Sequence, residues 1–208
     1  MIRSSSVLRR SVPVLGALAA AAVLTACGGP VRTGTAAVVG SDRISVASVQ
    51  ARLAAFRTEA AAHSSGPYQE QSGLVGVTVS NMVLEQVVDH AVAEHGLTVT
   101  QAEIDQARQE QAQAWGGEAG LEQMLLLKHA VPAARIDDFY REQLGLWKLA
   151  ALTGNQLGTN DGNEAVHQLL TQASAELKVS VNPRYGTWDP QQTVLDSPSA
   201  DWLTQPNA

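Results

Sequence analysis

The chain has 208 residues, a single cysteine and a formal net charge of −6, from 14 Lys+Arg against 20 Asp+Glu. That balance is the opposite of the basic footprint a nucleic-acid binder carries, and one cysteine excludes an intramolecular disulfide. The length allows one domain with a real hydrophobic core.

The N-terminus is tripartite. Arg3, Arg9 and Arg10 form a positive head, and Val12 to Val23 is an apolar run broken only by Pro13 and Gly16. The run is shorter than the ~20 apolar residues of a membrane-spanning helix but suits a secretory signal. It ends in Leu24, Thr25, Ala26 and Cys27, which resembles the bacterial lipobox. That resemblance implies cleavage after residue 26 and a diacylglycerol group on Cys27, which would be blocked as a nucleophile. Residues 1–26 are then the signal peptide, and the mature chain carries 11 basic against 20 acidic residues, net −9. Two acyl chains anchor a protein stably. Residues 27–35, rich in Gly, Thr and Pro, read as a tether. Its eight residues after the cysteine span at most about 28 Å. The folded part is expected on the outer face of a bacterial cell membrane.

The first predicted element is a short strand, Ala36 to Val39, followed by a Gly40-Ser41-Asp42 turn. Ser45 is placed to cap a helix reaching about His63, with Val49, Leu53 and Phe56 on one face. A second helix covers roughly Leu74 to His95. Its wide apolar stripe, Val83, Leu84, Val87, Val88, Ala91 and Val92, predicts a central helix covered on more than one side. Gly96 closes it. In "LTVTQAEIDQARQEQAQAW", Thr100 and Glu103 form a capping box, and Val99 and Ile104 a hydrophobic staple. The helix from Gln101 toward Trp115 is polar beyond Ile104, which predicts weak packing or projection into solvent.

A short helix follows with Leu121, Met124, Leu125 and Leu127. Pro132 suits the first position of the next helix, about 132–152, which carries Ile136, Phe139, Tyr140, Leu144, Trp147 and Ala151 and ends at Gly154. Asp161 and Glu164 mark the start of a last helix, to about Leu177. Val179-Ser180-Val181 then alternates like a strand. Three residues cannot form a stable strand alone, so it is predicted to pair with Ala36 to Val39 and join the two ends of the domain. Pro183 ends it, and Tyr185 and Trp188 are expected to cover the pair. Residues 190–208 are expected to be an irregular tail.

The order of these elements, with "GLTVTQAEID" and the closing "VSVNPRYGTWD", resembles the chaperone module of the SurA and PrsA families. These are exported bacterial foldases that bind unfolded proteins in the cell envelope. The resemblance covers about residues 36–189. It implies a mainly α-helical domain over 36–189, with a small two-stranded β element joining its N- and C-terminal segments. In those families one or more parvulin-type prolyl isomerase domains are inserted into the module. Here only about ten residues separate Leu152 from Gly162, and a domain needs at least ~50. The expectation is a helical module without the isomerase.

No catalytic constellation emerges. The histidines, His63, His90, His95, His129 and His167, include no pair at i, i+4 with a third ligand, so a zinc site is not expected. The serines lack a G-x-S-x-G context and the glycines form no phosphate loop. Asp137 and Asp138 suit the positive end of a helix. Arg184 reads first as a structural pairing at the terminal turn. Trp115, Met124 and Tyr140 are the candidate client-binding residues, for an apolar groove that accepts many sequences. Phe139 and Trp147 are assigned to the core. The resulting expectation is a lipid-anchored chaperone-like protein that holds unfolded or exported polypeptides, with no catalysis, cofactor or metal. The other readings are a scaffold lipoprotein with one dedicated envelope partner, and a partner-dependent prolyl isomerase.

Overall fold

The computed structural model describes residues 33–64, 68–70 and 72–196. Cys27 and residues 1–26, the expected signal peptide, lie outside them. Strand β1, Thr35–Val39, and strand β2, Asp42–Ser45, form an antiparallel hairpin. Gly40 makes its turn at φ +60°, a conformation that favours glycine. Strand β1 therefore begins within the stretch expected to be tether. The residues expected to be only a turn and a cap continue into β2.

The predicted pairing of the chain ends is present. Strand β3, Ser180–Val181, lies antiparallel on the other edge of β1, with Ala37 opposite Val181 and Val38 opposite Ser180. The ladder continues through Asn182, whose N–H donates to the Ala36 carbonyl at 2.8 Å. Its side-chain amide donates to the Thr35 carbonyl. The Asn-Pro-Arg-Tyr-Gly phrase then turns back, with Tyr185 N–H donating to the Asn182 carbonyl. Tyr185 and Trp188 are buried in the main core, and the Trp188 indole N–H donates to Ser174 Oγ at 2.7 Å. Arg184 stays exposed over the Tyr185 ring. The phrase is structural. It ties the C-terminus to the first strand. Beyond it, strands β4, Thr187–Asp189, and β5, Val194–Asp196, form a second hairpin, so order extends past residue 190, where an irregular tail was expected.

Six α-helices fill the rest of the described residues. Helix α1, Val46–Ala62, is capped by Ser45, whose side chain accepts from Ser48 N–H. Helix α2, Leu74–Glu94, is the central element and buries Val79, Val83, Val87, Val88 and Ala91. It ends in a Schellman motif: Gly96 N–H donates to Ala93 O, and Leu97 N–H to Val92 O. Helix α3, Gln101–Ala114, has the full capping box at Thr100 and Glu103. Helix α4 spans Glu118–His129. Pro132 precedes a 3-10 turn, Ala133–Arg135, and helix α5 begins only at Ile136 and runs to Leu152. The seven residues Thr153–Thr159 lead directly into helix α6, Asn160–Leu177, which is capped by Thr159.

Two apolar clusters result. The larger gathers β1, β2, α1, α2, the second half of α5, α6 and the terminal aromatics. Gly145 lets α5 approach α2 closely, since a Cβ there would lie 3.1 Å from Val88 and Val92. The smaller joins α3, α4 and the first half of α5 through Ile104, Ala112, Leu121, Leu125, Ile136 and Tyr140. Helix α3 is thus docked by a narrow alanine-rich stripe, not projected into solvent. Arg108 also ties it to Asp137 and Glu118. Among the described residues no helix is long and apolar enough to cross a membrane.

Candidate functional site

The smaller cluster leaves an open groove between α3, α4 and α5, with a volume of about 340 Å³. Met124, Phe139, Tyr140, Leu144 and Trp147 supply its apolar lining. The expected binding residues divide. Met124 lies half-buried in the groove wall. Tyr140 forms the floor, only 6% exposed and edge-on to Phe139 with ring centres 5.5 Å apart. Trp115 is 43% exposed but does not line the groove; its ring sits 5.2 Å from Lys128 Nζ. The largest exposed apolar surface at the groove is instead Trp147, 64% exposed, which had been assigned to the core. Helix α5 has apolar residues on two flanks. Ile136, Gly145 and Leu149 face inward. Trp147 falls on the flank that no other described element covers. Helical spacing alone does not distinguish the two.

Around the C-terminal end of α4 the groove meets a second concavity. His129 and Phe139 line both. This cleft, about 200 Å³, lies between α1, α2 and α5. One wall is apolar, from Phe56, Leu74 and Val77; the other is charged. Arg52 grips Glu85 in a bidentate pair, both bonds at 2.9 Å. Arg135 bridges Glu85 at 3.0 Å and Asp138 at 2.7 Å, and Arg141 takes the other Asp138 oxygen at 2.8 Å. Asp137 and Asp138 therefore do more than complement the helix dipole. Each receives arginine side chains, and the Arg108 hydrogen bond holds the Asp137 carboxyl below its ordinary range.

Glu142 stands apart from this chain. It lines the cleft yet has no hydrogen bond or ion pair among the described residues. Burial, then the charges of Glu85 and Asp89, push its carboxyl up to about 7, against a smaller opposing pull from Arg52. Burial also raises Glu85 and Asp89. Sequence reasoning missed this cleft because its partners lie tens of residues apart. The only sequence hint was acidic and basic residues on the otherwise apolar helices α2 and α5.

Among the described residues one mixed histidine–carboxylate group could hold a metal ion. His90 and Glu94 on α2 and Glu176 on α6 bring ligand atoms within 4.8 Å of one another. Its residues do not form a histidine pair. His90 Nε2 is 3.6 Å from Glu176, and both carboxylates are exposed, so the geometry supports a polar contact between the helices near the surface. The chain matches no protein-family model, no curated protein and no solved structure.

Proposed function

We propose that this protein is a lipid-anchored, extracytoplasmic chaperone-like protein that transiently holds unfolded or exported polypeptides, without catalysis. On this reading it is a SurA/PrsA-type helical module that lacks the isomerase insertion, since Thr153–Thr159 closes the place where that domain would enter. The observation that carries the reading is the groove itself: exposed Trp147 and adaptable Met124 beside a rigid aromatic floor of Phe139 and Tyr140. Trp147 shares the groove with other apolar side chains, so it offers contiguous apolar surface to a partner, and methionine adapts to many shapes. The mechanism is reversible burial of apolar client segments, with binding energy from surface removed from water.

The test is suppression of aggregation. A chemically unfolded protein is diluted into buffer with the full chain in phospholipid nanodiscs at near-stoichiometric ratio, and light scattering is followed. Slower scattering growth, lost in Trp147→Ala, is the expected result. Unchanged aggregation with folded protein refutes general chaperoning and leaves a dedicated partner as the better reading.

A further inference from the structure

We propose that the cleft between α1, α2 and α5 receives a lysine or arginine side chain of an extended polypeptide, with Glu142 as its acceptor. This rests on the reading that the protein holds polypeptides, and it adds a preference for basic residues flanked by apolar ones.

Charge complementarity selects this occupant. The groups facing Glu142 are Arg52 from α1, Glu85 and Asp89 from α2, His129 from α4, Arg135 from the 3-10 turn, and Asp138 and Arg141 on α5 itself. Glu85 and Asp138 already engage all three arginines. Across this cleft and the small pocket beside it that Asp89, Asp138 and Arg141 line, four carboxylates face three guanidinium groups, and Glu142 is the carboxylate of the main cleft that has no partner. A buried charge is costly unless paired. An incoming ammonium or guanidinium completes the pairing. An anion meets the opposite situation: Arg135 Nε lacks a partner but is sealed from solvent.

Shape agrees with charge. The cleft holds about 200 Å³, below the ~300–1,000 Å³ of drug-sized ligand sites. It suits one long side chain. The methylene stem of lysine or arginine would lie along Phe56 and Val77 while its head reaches Glu142. Phe139 borders both concavities. A segment crossing it places a basic residue in the cleft and apolar residues in the Trp147 groove.

The carboxyl of Glu142 sits near 7 when free, and only its ionised form attracts a cation. The ionised fraction rises from about one tenth at pH 6 to about nine tenths at pH 8, so apparent affinity for a cationic segment rises about tenfold.

The experiment uses the full chain in nanodiscs and fluorescence anisotropy with capped, labelled leucine/alanine decapeptides that differ only in a central Lys, Gln or Glu. The expected result at pH 8 is binding of the Lys peptide about tenfold tighter than the Gln peptide. The preference shrinks at pH 6 and disappears in Glu142→Gln, whose melting temperature stays at or above that of the parent. Equal binding of Lys and Gln peptides at pH 8, or a Lys preference that survives Glu142→Gln, overturns the assignment of this cleft while leaving the holding function in place. Failure of every peptide to bind overturns both.

Discussion

Replacing Glu142 with Gln should make this protein more stable, and increasingly so as pH rises. The carboxyl sits at about 7 in the folded state against an ordinary 4.5. A carboxyl whose folded pKa lies above its unfolded value holds more protons folded than unfolded. Stability therefore falls as pH climbs from about 4.5 to about 7 and stays reduced above that. A shift of this size at 1.36 kcal/mol per unit sets a ceiling of ~3 kcal/mol. Glu142 keeps some access to solvent, so ~2 kcal/mol is the working figure. Gln keeps the shape and removes the charge. At pH 8 the variant should melt roughly 4–8 °C above the parent, taking 2–4 °C per kcal/mol for a chain this long. At pH 5 the two should nearly coincide. Circular dichroism melts of both proteins at the two pH values give the answer. Glu85 and Asp89 are raised in the same direction; they are common to both proteins and enter the difference only through their repulsion of Glu142. A variant less stable than the parent at pH 8, or a gap that does not change with pH, would refute the picture of a buried, unpartnered carboxylate.

Five further substitutions separate structural from exposed groups. Tyr140→Ala empties the floor of the smaller cluster and should cost ~3 kcal/mol by urea unfolding, while Trp147→Ala should stay within ~0.5 kcal/mol yet abolish protection against aggregation. Ser174→Ala leaves the buried Trp188 indole N–H without an acceptor and should cost ~1–3 kcal/mol, with a changed near-ultraviolet dichroism spectrum. Thr100→Ala removes one half of the capping box and should cost ~1 kcal/mol. Lys148 first, and then Thr100, hold the Glu103 carboxyl down at about 2. Its contribution is present above the ordinary carboxylate pKa and lost as pH falls toward 2, so acid unfolding should begin earlier in Lys148→Met.

What the sequence made legible was local chemistry and one topological necessity. Thr100 with Glu103, Ser45 and Gly96 announce helix ends because a cap needs particular side chains at fixed offsets. The pairing of Val181 with Ala37 followed because so short a strand requires a partner and only one candidate had been identified. Strand β2 was hidden because Asp42 read as the end of a turn and Ser45 as a cap, although both belong to the ladder. The second hairpin was hidden because Pro190–Thr193 carries none of the Asn-Gly or Asp-Gly pairs that announce a tight turn; Thr193 itself takes φ +51°. Trp147 was misplaced because spacing along α5 gives its two flanks but not which neighbour covers each. The Arg52–Glu85–Arg135 chain depends on three segments meeting, which no local pattern encodes.

The two clusters divide the labour of the fold. In the larger, β1 is hydrogen-bonded on both edges and helix α2 is covered on several sides, so that every level of description agrees and the structure is strongly specified. The smaller rests on a thin stripe of α3 and a few residues of α4 and α5, and its groove exposes a large aromatic side chain. Between them lies the cleft, where Glu85 is paired with two arginines and Glu142 has no partner. Departures from local consistency concentrate where a protein must meet something else. An uncovered tryptophan and an unpaired, partly buried carboxylate, both on α5 and on either side of Phe139, are two such departures on one continuous surface. A folding requirement accounts for neither: Trp147 contributes little burial, and Glu142 lowers stability at neutral pH. Both become favourable when the same extended segment covers the first and neutralises the second.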